Sequence, residues 1–128
     1  MSAPFDFWND HSLVFLEMAM KRDYQERVIQ CDGKGEAQRD CGDTICFFIK
    51  ADQGRLVAIS YDIQGCIYTH ACANTIIHLT QGRPVEEAAG IGKVDILSHL
   101  ETLPEAEEHC ADLALLAFGR ALKSLASG

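Results

Sequence analysis

The sequence predicts an α+β fold, in which a three-stranded antiparallel sheet carries helices packed on one face. Two observations lead to this class: β-branched and aromatic residues form strand-like runs up to residue 63, and after Gly65 the apolar residues recur with helical spacing. Strands followed by helices are typical of α+β domains. The 128 residues fit one ordinary domain, so we expect a single domain over residues 1–128.

The first predicted element is a helix that starts at Asp10 or Ser12 and runs to about Arg22. Either starting residue can accept hydrogen bonds from the first free amides of a helix, and good helix formers follow. Because apolar residues nearly encircle this helix, we expect it to pack either on the body of the domain or on a partner.

Three strand-like runs come next. Residues 27–31 form a short run that ends in a turn at Asp32-Gly33, and residues 44–50 are rich in β-branched and aromatic side chains. The Gly-bearing turn at 51–54 joins this second run to a third over 55–63, and the two form a hairpin. The first run can add a third antiparallel strand. The third run alternates, with one face made of Val57, Ile59, Tyr61 and Ile63.

The second half of the chain predicts four helical segments, separated by glycines and by Pro104. Acidic residues crowd the start of the last helix and basic residues lie towards its end, as the helix dipole favours. Glu105, Glu107 and Glu108 are interpreted as such start charges. The predicted segments are 69–81, 85–89, 94–101 and 105–125.

The charge balance excludes two classes of partner. Eleven Lys and Arg against nineteen Asp and Glu give a net charge of −8, and such a surface repels nucleic acid and anionic membranes. No run approaches the ~20 consecutive apolar residues of a membrane span, and residues 1–10 lack the positive charge of a secretory signal. We therefore expect a cytoplasmic protein whose thiols stay reduced.

Six cysteines in a reducing compartment indicate metal or sulfur chemistry before disulfides. No C-x2-C pair is present, which argues against a zinc finger or a ferredoxin-type cluster. Three cysteines lie at element boundaries: Cys41 before the second strand, Cys66 after the third, and Cys110 in the second turn of the last helix. Because neighbouring antiparallel strands run in opposite directions, Cys41 and Cys66 come to one edge of the hairpin, where a packed helix can add His109 and Cys110.

The other thiols have simpler interpretations. Cys46 lies in an apolar strand and is expected to pack in the core. Cys72 lies on a helix, where it either packs in the core or adds an extra thiol near the site, and Cys31 has no assigned role. Cys110 stands among acidic residues and is expected to be harder to ionise without metal than Cys66, which lies just ahead of a helix.

The strings Cys41-Gly42-Asp43, Gly65-Cys66 and Leu103-Pro104 leading to His109-Cys110 resemble the iron–sulfur cluster assembly scaffolds of the IscU and NifU N-terminal type. The resemblance extends from about residue 24 to 123, so residues 1–23 form a divergent N-terminal segment. It implies that Cys41, Cys66 and Cys110 are cluster ligands and sulfur acceptors. It also implies that His109 or Asp43 supplies the labile fourth ligand.

The resemblance also implies a function. Such a scaffold accepts sulfur from a cysteine desulfurase, builds a [2Fe–2S] cluster and transfers it to apo-proteins, a carrier role without enzymatic turnover. The alternative is a zinc-bound sulfur acceptor of the SufU type, a sulfurtransferase that activates its desulfurase and holds Zn²⁺ with the same three cysteines and Asp43. A third alternative is a metal-binding module that has lost transfer. The chain lacks the SufU-type insertion before Cys110, which favours the scaffold.

Three departures from the family pattern bear on partners. The family's N-terminal Asn-Pro segment is missing. The bacterial IscU type carries a Leu-Pro-Pro-Val-Lys stretch that an Hsp70-type chaperone grips, and the aligned residues here are Leu103-Pro104-Glu105-Ala106-Glu107. The lost Pro and Lys and the two acids argue against recognition by that chaperone. Ile67 stands where a small residue usually follows the second cysteine, which leaves room for the sulfurtransferase alternative.

Overall fold

The computed structural model describes residues 13–28, 30–39 and 42–127. In this part of the chain the sheet is antiparallel with strand order β1-β2-β3, so the predicted α+β class is confirmed. The elements are α1 (Leu13–Met20), β1 (Gly33–Gln38), β2 (Thr44–Asp52), β3 (Arg55–Gln64), α2 (Ile67–Thr80), α3 (Val85–Ala88), α4 (Lys93–Leu100), a 3₁₀ turn (Glu105–Glu107) and α5 (His109–Ser127).

The β2–β3 hairpin forms where the sequence predicts it. Asp52 pairs with Arg55 across a two-residue turn, in which Gln53 and Gly54 have positive φ angles of 53° and 79°. Two successive positive φ angles are the geometry that matches the right-handed twist of paired strands. The local sequence of the turn therefore sets the register of the hairpin.

The predicted strand at residues 27–31 and the turn after it are wrong, because the first strand is Gly33–Gln38. Every second residue of this strand is buried, and the strand packs against α5. A Cβ on Gly35 would lie 2.2 Å from the amide nitrogen of Ala121 and 2.3 Å from the carbonyl oxygen of Ala117. The strand forms here because α5 can pack closely only against glycine. Local β propensity does not predict this strand.

The residues after α1 instead pair with the edge of β3, where Gln25 forms a parallel bridge with Tyr61. Tyr61 of β3 exchanges two backbone hydrogen bonds, of 2.9 and 2.8 Å, with Tyr24 and Glu26. The Arg27 guanidinium lies over the Phe48 ring, 5.5 Å from its centroid. The Arg27 side chain thus covers Phe48 on the outer face of the sheet, which helps to bury successive residues of β2 on both faces.

The predicted inward face of β3 is correct for Ile59, Tyr61 and Ile63, which are buried, and wrong for Val57, which is exposed. A register irregularity near the turn end of the hairpin shifts the alternation, so that Leu56 takes the inward position. A β-bulge sets two residues of one strand opposite one of its neighbour and so interrupts the side-chain alternation.

Helix α1 packs on the body of the molecule, one of the two surroundings that its composition allows. Phe15, Met18 and Ala19 are buried in the contact with α2. The side-chain amide of Asn74 in α2 donates hydrogen bonds to the carbonyl oxygens of Met18 (2.7 Å) and Lys21 (2.9 Å). These bonds satisfy carbonyl groups that the end of a helix leaves without partners.

The last predicted helix is two elements. The Glu107 amide donates to the Pro104 carbonyl at 2.8 Å in a 3₁₀ turn, and α5 begins only at His109. Tight turns of this kind are frequent at the start of α-helices. Cys110 is therefore the second residue of α5 rather than a residue of its second turn. The other three helices predicted after Gly65 agree with the structure to within two residues at each end.

The apolar core lies between the inner face of the sheet and helices α2 and α5. Phe47 at its centre makes edge-to-face pairs with Phe118 of α5 and Tyr61 of β3, with ring centroids 5.4 and 6.5 Å apart. This core anchors α5, which carries Cys110, and α2, which follows Cys66. None of the helices in the described part of the chain combines the length and apolar character that crossing a membrane requires.

Candidate metal centre

Cys66 is held at the junction of β3 and α2. Its backbone is extended, with φ −91° and ψ 176°, directly before the first residue of α2, and the residue is exposed. Thr44 of β2 pairs with Gln64 of β3, so the turn between β1 and β2 emerges at the same end of the sheet as Cys66. Cys41 precedes Thr44 by three positions in the sequence and lies outside the described residues.

The Cys110 thiol approaches Cys66 from α5 and is 1% exposed. The hydroxyl of Thr69, in the first turn of α2, donates a hydrogen bond to Cys110 Sγ at 3.6 Å and lies 3.7 Å from Cys66 Sγ. One buried hydroxyl therefore stands between two thiols that come from different elements, and it connects α2 to α5.

Glu107 adds a carboxylate to the two thiols. The Sγ atoms of Cys66 and Cys110 and one Glu107 oxygen all lie within 4.8 Å of one another, and the Cys110 thiol donates to Glu107 Oε1 at 3.9 Å. Sulfur ligands about 2.3 Å from one tetrahedral ion lie about 3.8 Å apart, so small side-chain movements would suffice to bind an ion. Across the described ranges no other three His, Cys, Asp or Glu ligand atoms are this close. We refer to Cys66, Thr69, Glu107 and Cys110 as the thiol rim.

The environment of Cys110 opposes its ionisation. Burial is the main cause that raises the pKa of the Cys110 thiol to about 12; the hydrogen bond from Thr69 lowers it, and Cys66 and Glu107 raise it. The direction agrees with the sequence-based expectation, but burial has a larger effect than the neighbouring acids. Coordination to a metal ion deprotonates a thiol outright. A bound cation would therefore supply the positive charge that stabilises the Cys110 thiolate.

Asp43 and His109, the two candidates for the fourth ligand, lie outside this group. Asp43 Oδ2 is 3.8 Å from Arg39 Nη1 in the β1–β2 turn. His109 Nε2 is 3.8 Å from Glu107 Oε1, the oxygen that also accepts from the Cys110 thiol. Within the described residues, neither joins the two thiols in a group of comparable spacing. Their roles, like that of Cys41, stay predictions.

Two residues of the thiol rim were missed by reasoning from the sequence. Thr69 follows Cys66 by three positions, and Glu107 precedes Cys110 by three. Residues three apart share a face of a helical turn, so this spacing was the available signal. Glu107 was instead grouped with the acidic residues at the start of the helix. That interpretation suits its neighbour Glu108, whose carboxylate lies 3.6 Å from the Lys93 ammonium.

The other described thiols belong to no ligand group. Cys46 is buried, as predicted, Cys72 packs in the core, the first of its two expected places, and burial raises the pKa of both. Cys31 is half-buried and lines a cleft with Lys50 and Val57, near the hairpin turn and away from the rim.

Comparisons with known proteins agree on one family. The sequence model described as "NifU-like N terminal domain" matches residues 23–127. The iron–sulfur cluster assembly scaffold protein IscU 1 of Archaeoglobus fulgidus is 29% identical over 97 residues, which are 75% of this chain and 63% of that protein. The bifunctional protein NifU/MnmA of Rubrobacter xylanophilus is 36% identical over 94 residues, which are 71% of this chain and 19% of that protein. The chain thus spans less than two thirds of the length of these relatives.

A solved structure shares the fold. The crystal structure of the N-terminal part of a NifU-like protein from Brucella abortus superposes with a TM-score of 0.73 and covers 95% of this chain and 99% of that one. The sequence identity is 14%, so the likeness concerns the fold alone. Helix α1 lies before the residues that the family model matches, and the thiol rim lies within them.

Proposed function

The chain belongs to the NifU-like N-terminal domain family, and we propose that it is a scaffold for iron–sulfur cluster assembly. In this role it accepts sulfur from a cysteine desulfurase and holds a [2Fe–2S] cluster on Cys41, Cys66 and Cys110. It then passes the cluster to apo-proteins. The family match and the scaffold names of relatives such as IscU 1 support the proposal.

The geometry of the thiol rim is the observation that carries the proposal. Two thiols from different elements and one carboxylate oxygen lie within 4.8 Å of one another. The strand register places Thr44, three residues after Cys41 in the sequence, at the same end of the sheet as Cys66, which supports a contribution from Cys41. A third thiolate from Cys41 would complete a sulfur-rich site of the kind that iron and zinc prefer.

The proposed ligands suit a cluster that is released to a recipient protein. Four thiolates bind iron firmly, whereas three thiolates with one oxygen or nitrogen ligand bind it less firmly. Asp43 and His109 are the candidates from the sequence for that weaker ligand. Cys66 is exposed, so a recipient protein can reach the edge of the site directly.

Exposure also orders the sulfur acceptors. Cys66 is the first acceptor in this proposal, because Cys110 is buried and its pKa is raised to about 12. The Cys66 thiolate attacks the terminal sulfur of a persulfide on the desulfurase, and a new S–S bond forms at Cys66. The S–S bond on the desulfurase breaks, and the desulfurase cysteine leaves as a thiolate. Cys110 and Cys41 are the further acceptors.

The proposal places this chemistry in one domain over residues 1–128 and in the cytosol, where thiols stay reduced. The net charge of −8 disfavours nucleic acid and anionic membranes as partners. An Hsp70-type chaperone is left out, because the aligned stretch carries Glu107 at the position of the family's Lys and this carboxylate contacts Cys110.

Anaerobic reconstitution tests the function. The purified chain is incubated with a cysteine desulfurase, cysteine, ferrous iron and dithiothreitol, which reduces the transferred persulfide sulfur to sulfide, and cluster formation is followed by visible charge-transfer absorption. We expect a [2Fe–2S] spectrum that moves to an added apo-ferredoxin. Cys41→Ser, Cys66→Ser and Cys110→Ser should each remove most of the absorption. Cys31→Ser is the matched control, because this thiol lies away from the rim.

The zinc-bound sulfurtransferase predicts a different outcome. The chain would stay colourless, hold one zinc ion tightly and accelerate the desulfurase, and that result would contradict the scaffold. A cluster that forms but never reaches the apo-ferredoxin would favour a metal-binding module without transfer.

A further inference from the structure

The geometry of the thiol rim points to Glu107 as the non-thiolate ligand, in the position for which the sequence offers only Asp43 and His109. The inference rests on the proposed function, because it assigns one more ligand to the same site. In place of His109 or Asp43, the fourth ligand is the carboxylate of Glu107, which lies in the 3₁₀ turn before α5.

Distances favour Glu107 over both candidates. Its oxygen lies within 4.8 Å of both thiols and 3.9 Å from Cys110 Sγ. Oxygen and sulfur ligands of one tetrahedral ion, about 2.1 and 2.3 Å from it, lie about 3.6 Å apart. The side chain therefore needs to move by only a few tenths of an ångström on the Cys110 side. Asp43 and His109 form no such group with the two thiols among the described residues.

His109 is a positioning residue in this arrangement. Its Nε2 lies 3.8 Å from Glu107 Oε1, so the imidazole contacts the same oxygen that receives the Cys110 thiol. Partners of this kind orient a ligating carboxylate and are typical of metal sites. His109 then supports the ligand and does not bind the metal itself.

The next residue provides a matched control. Glu108 has the same side chain, but its carboxylate pairs with Lys93 at 3.6 Å, and Lys93 also contacts Asp112 at 3.2 Å. Successive residues of a 3₁₀ turn point about 120° apart, so the two carboxylates face different surroundings. Glu108→Gln removes the same charge as Glu107→Gln without touching the thiols.

Anaerobic titration with Co²⁺ tests the assignment. The affinity is measured by competition against a chromophoric chelator, and visible absorption reports which ligands bind the ion. We expect Glu107→Gln to weaken Co²⁺ binding at least about tenfold and to change the d–d bands, since even outer partners of metal ligands have effects of this size. Glu108→Gln should stay within about twofold of the wild type, as exposed ion pairs contribute little. Glu107→Cys should add a fourth thiolate and raise the sulfur-to-cobalt absorption by about a third.

Two results would overturn the assignment. If Glu107→Gln and Glu107→Cys both match the wild type in affinity and spectrum, Glu107 is not a ligand. If His109→Ala or Asp43→Ala weakens Co²⁺ binding and changes the d–d bands, and Glu107→Gln does neither, the candidate from the sequence is the ligand. In both cases the wild type still binds Co²⁺ and builds a cluster, so the proposed function stands. A wild type that does neither contradicts the function and the ligand together.

Discussion

The thiol rim and the body of the molecule, meaning the sheet with α2 and α5 around the apolar core, differ in the polar contacts that they give to cysteine. Cys66 precedes the first residue of α2 and Cys110 is the second residue of α5, and there Thr69 and Glu107 bring polar atoms to their sulfurs. Cys72 lies within α2 and is fully buried, and burial raises the pKa of its thiol. Side chains from different elements converge at element ends, so position along the element decides whether a cysteine can serve as a ligand.

This comparison separates two kinds of substitution. Changes in the body should alter the free energy of unfolding and leave the metal affinity of the folded protein unchanged. Changes in the rim should do the reverse. A body substitution that altered the ligand chemistry, or a rim substitution that altered mainly stability, would contradict this distinction.

Gly35→Ala gives the largest expected effect on stability. The new Cβ would meet backbone atoms of Ala121 and Ala117 at 2.2 and 2.3 Å, and backbone cannot give way as a flexible side chain can. We expect a loss of at least about 3 kcal/mol in urea unfolding. Gly119→Ala is the control: its Cβ meets nothing within 4 Å in α5, so it should gain about 0.5–1 kcal/mol. Equal stability of the two variants would contradict the close packing of β1 on α5.

His70 gives the body a pH response. Burial, and then the charge of Arg22, lower the pKa of His70 to about 4. The unfolded chain binds this proton near pH 6.5 and the folded chain only near pH 4, so the contribution is present above pH 6.5 and is lost as the pH falls towards 4. Between pH 7 and pH 5 the group should cost about 2 kcal/mol.

Urea unfolding of the wild type and of His70→Gln at both pH values measures this contribution. The variant should lack that part of the pH dependence, although it also loses the hydrogen-bond partner that Tyr61 has in the wild type. Identical pH dependence in the two proteins would show that the imidazole is not held neutral by the fold.

Thr69→Val gives the smallest effect and acts on the rim. The substitution keeps the shape of a fully buried side chain and removes the hydroxyl between Cys66 and Cys110. We expect a change of about 1 kcal/mol in Co²⁺ binding, or about fivefold in affinity. Thr69→Ser should restore it, because it keeps the hydroxyl. Equal affinities of the valine and serine variants for Co²⁺ would show that the Thr69 hydroxyl does not contribute to metal binding.

Local sequence predicts those parts of the fold that local physics controls. The β2–β3 hairpin was predictable because its strands are rich in β-branched and aromatic residues and its turn contains Gly54. Strand β1 was not, because Gly33 and Gly35 are poor strand formers that a helix more than eighty residues later makes necessary. The bulge that turns Val57 outward also leaves no clear mark in the alternation of apolar residues.

The same division applies to the site. The pattern of Cys66 and His109-Cys110 singled out two thiols that the structure brings together. Glu107 and Thr69 were missed because their place depends on where helix α5 begins and on how it packs against α2. Motifs mark residues of unusual chemistry, whereas common residues join a site through tertiary packing.

X-ray absorption at the cobalt K-edge tests whether Cys66 and Cys110 bind the same metal ion. The number of sulfur atoms around Co²⁺ is measured in the wild type and in Cys66→Ser, Cys110→Ser and Cys31→Ser. We expect Cys66→Ser and Cys110→Ser each to lower the sulfur count by one and Cys31→Ser to leave it unchanged. If Cys66→Ser or Cys110→Ser binds Co²⁺ with the full wild-type sulfur count, the two thiols do not share the ion.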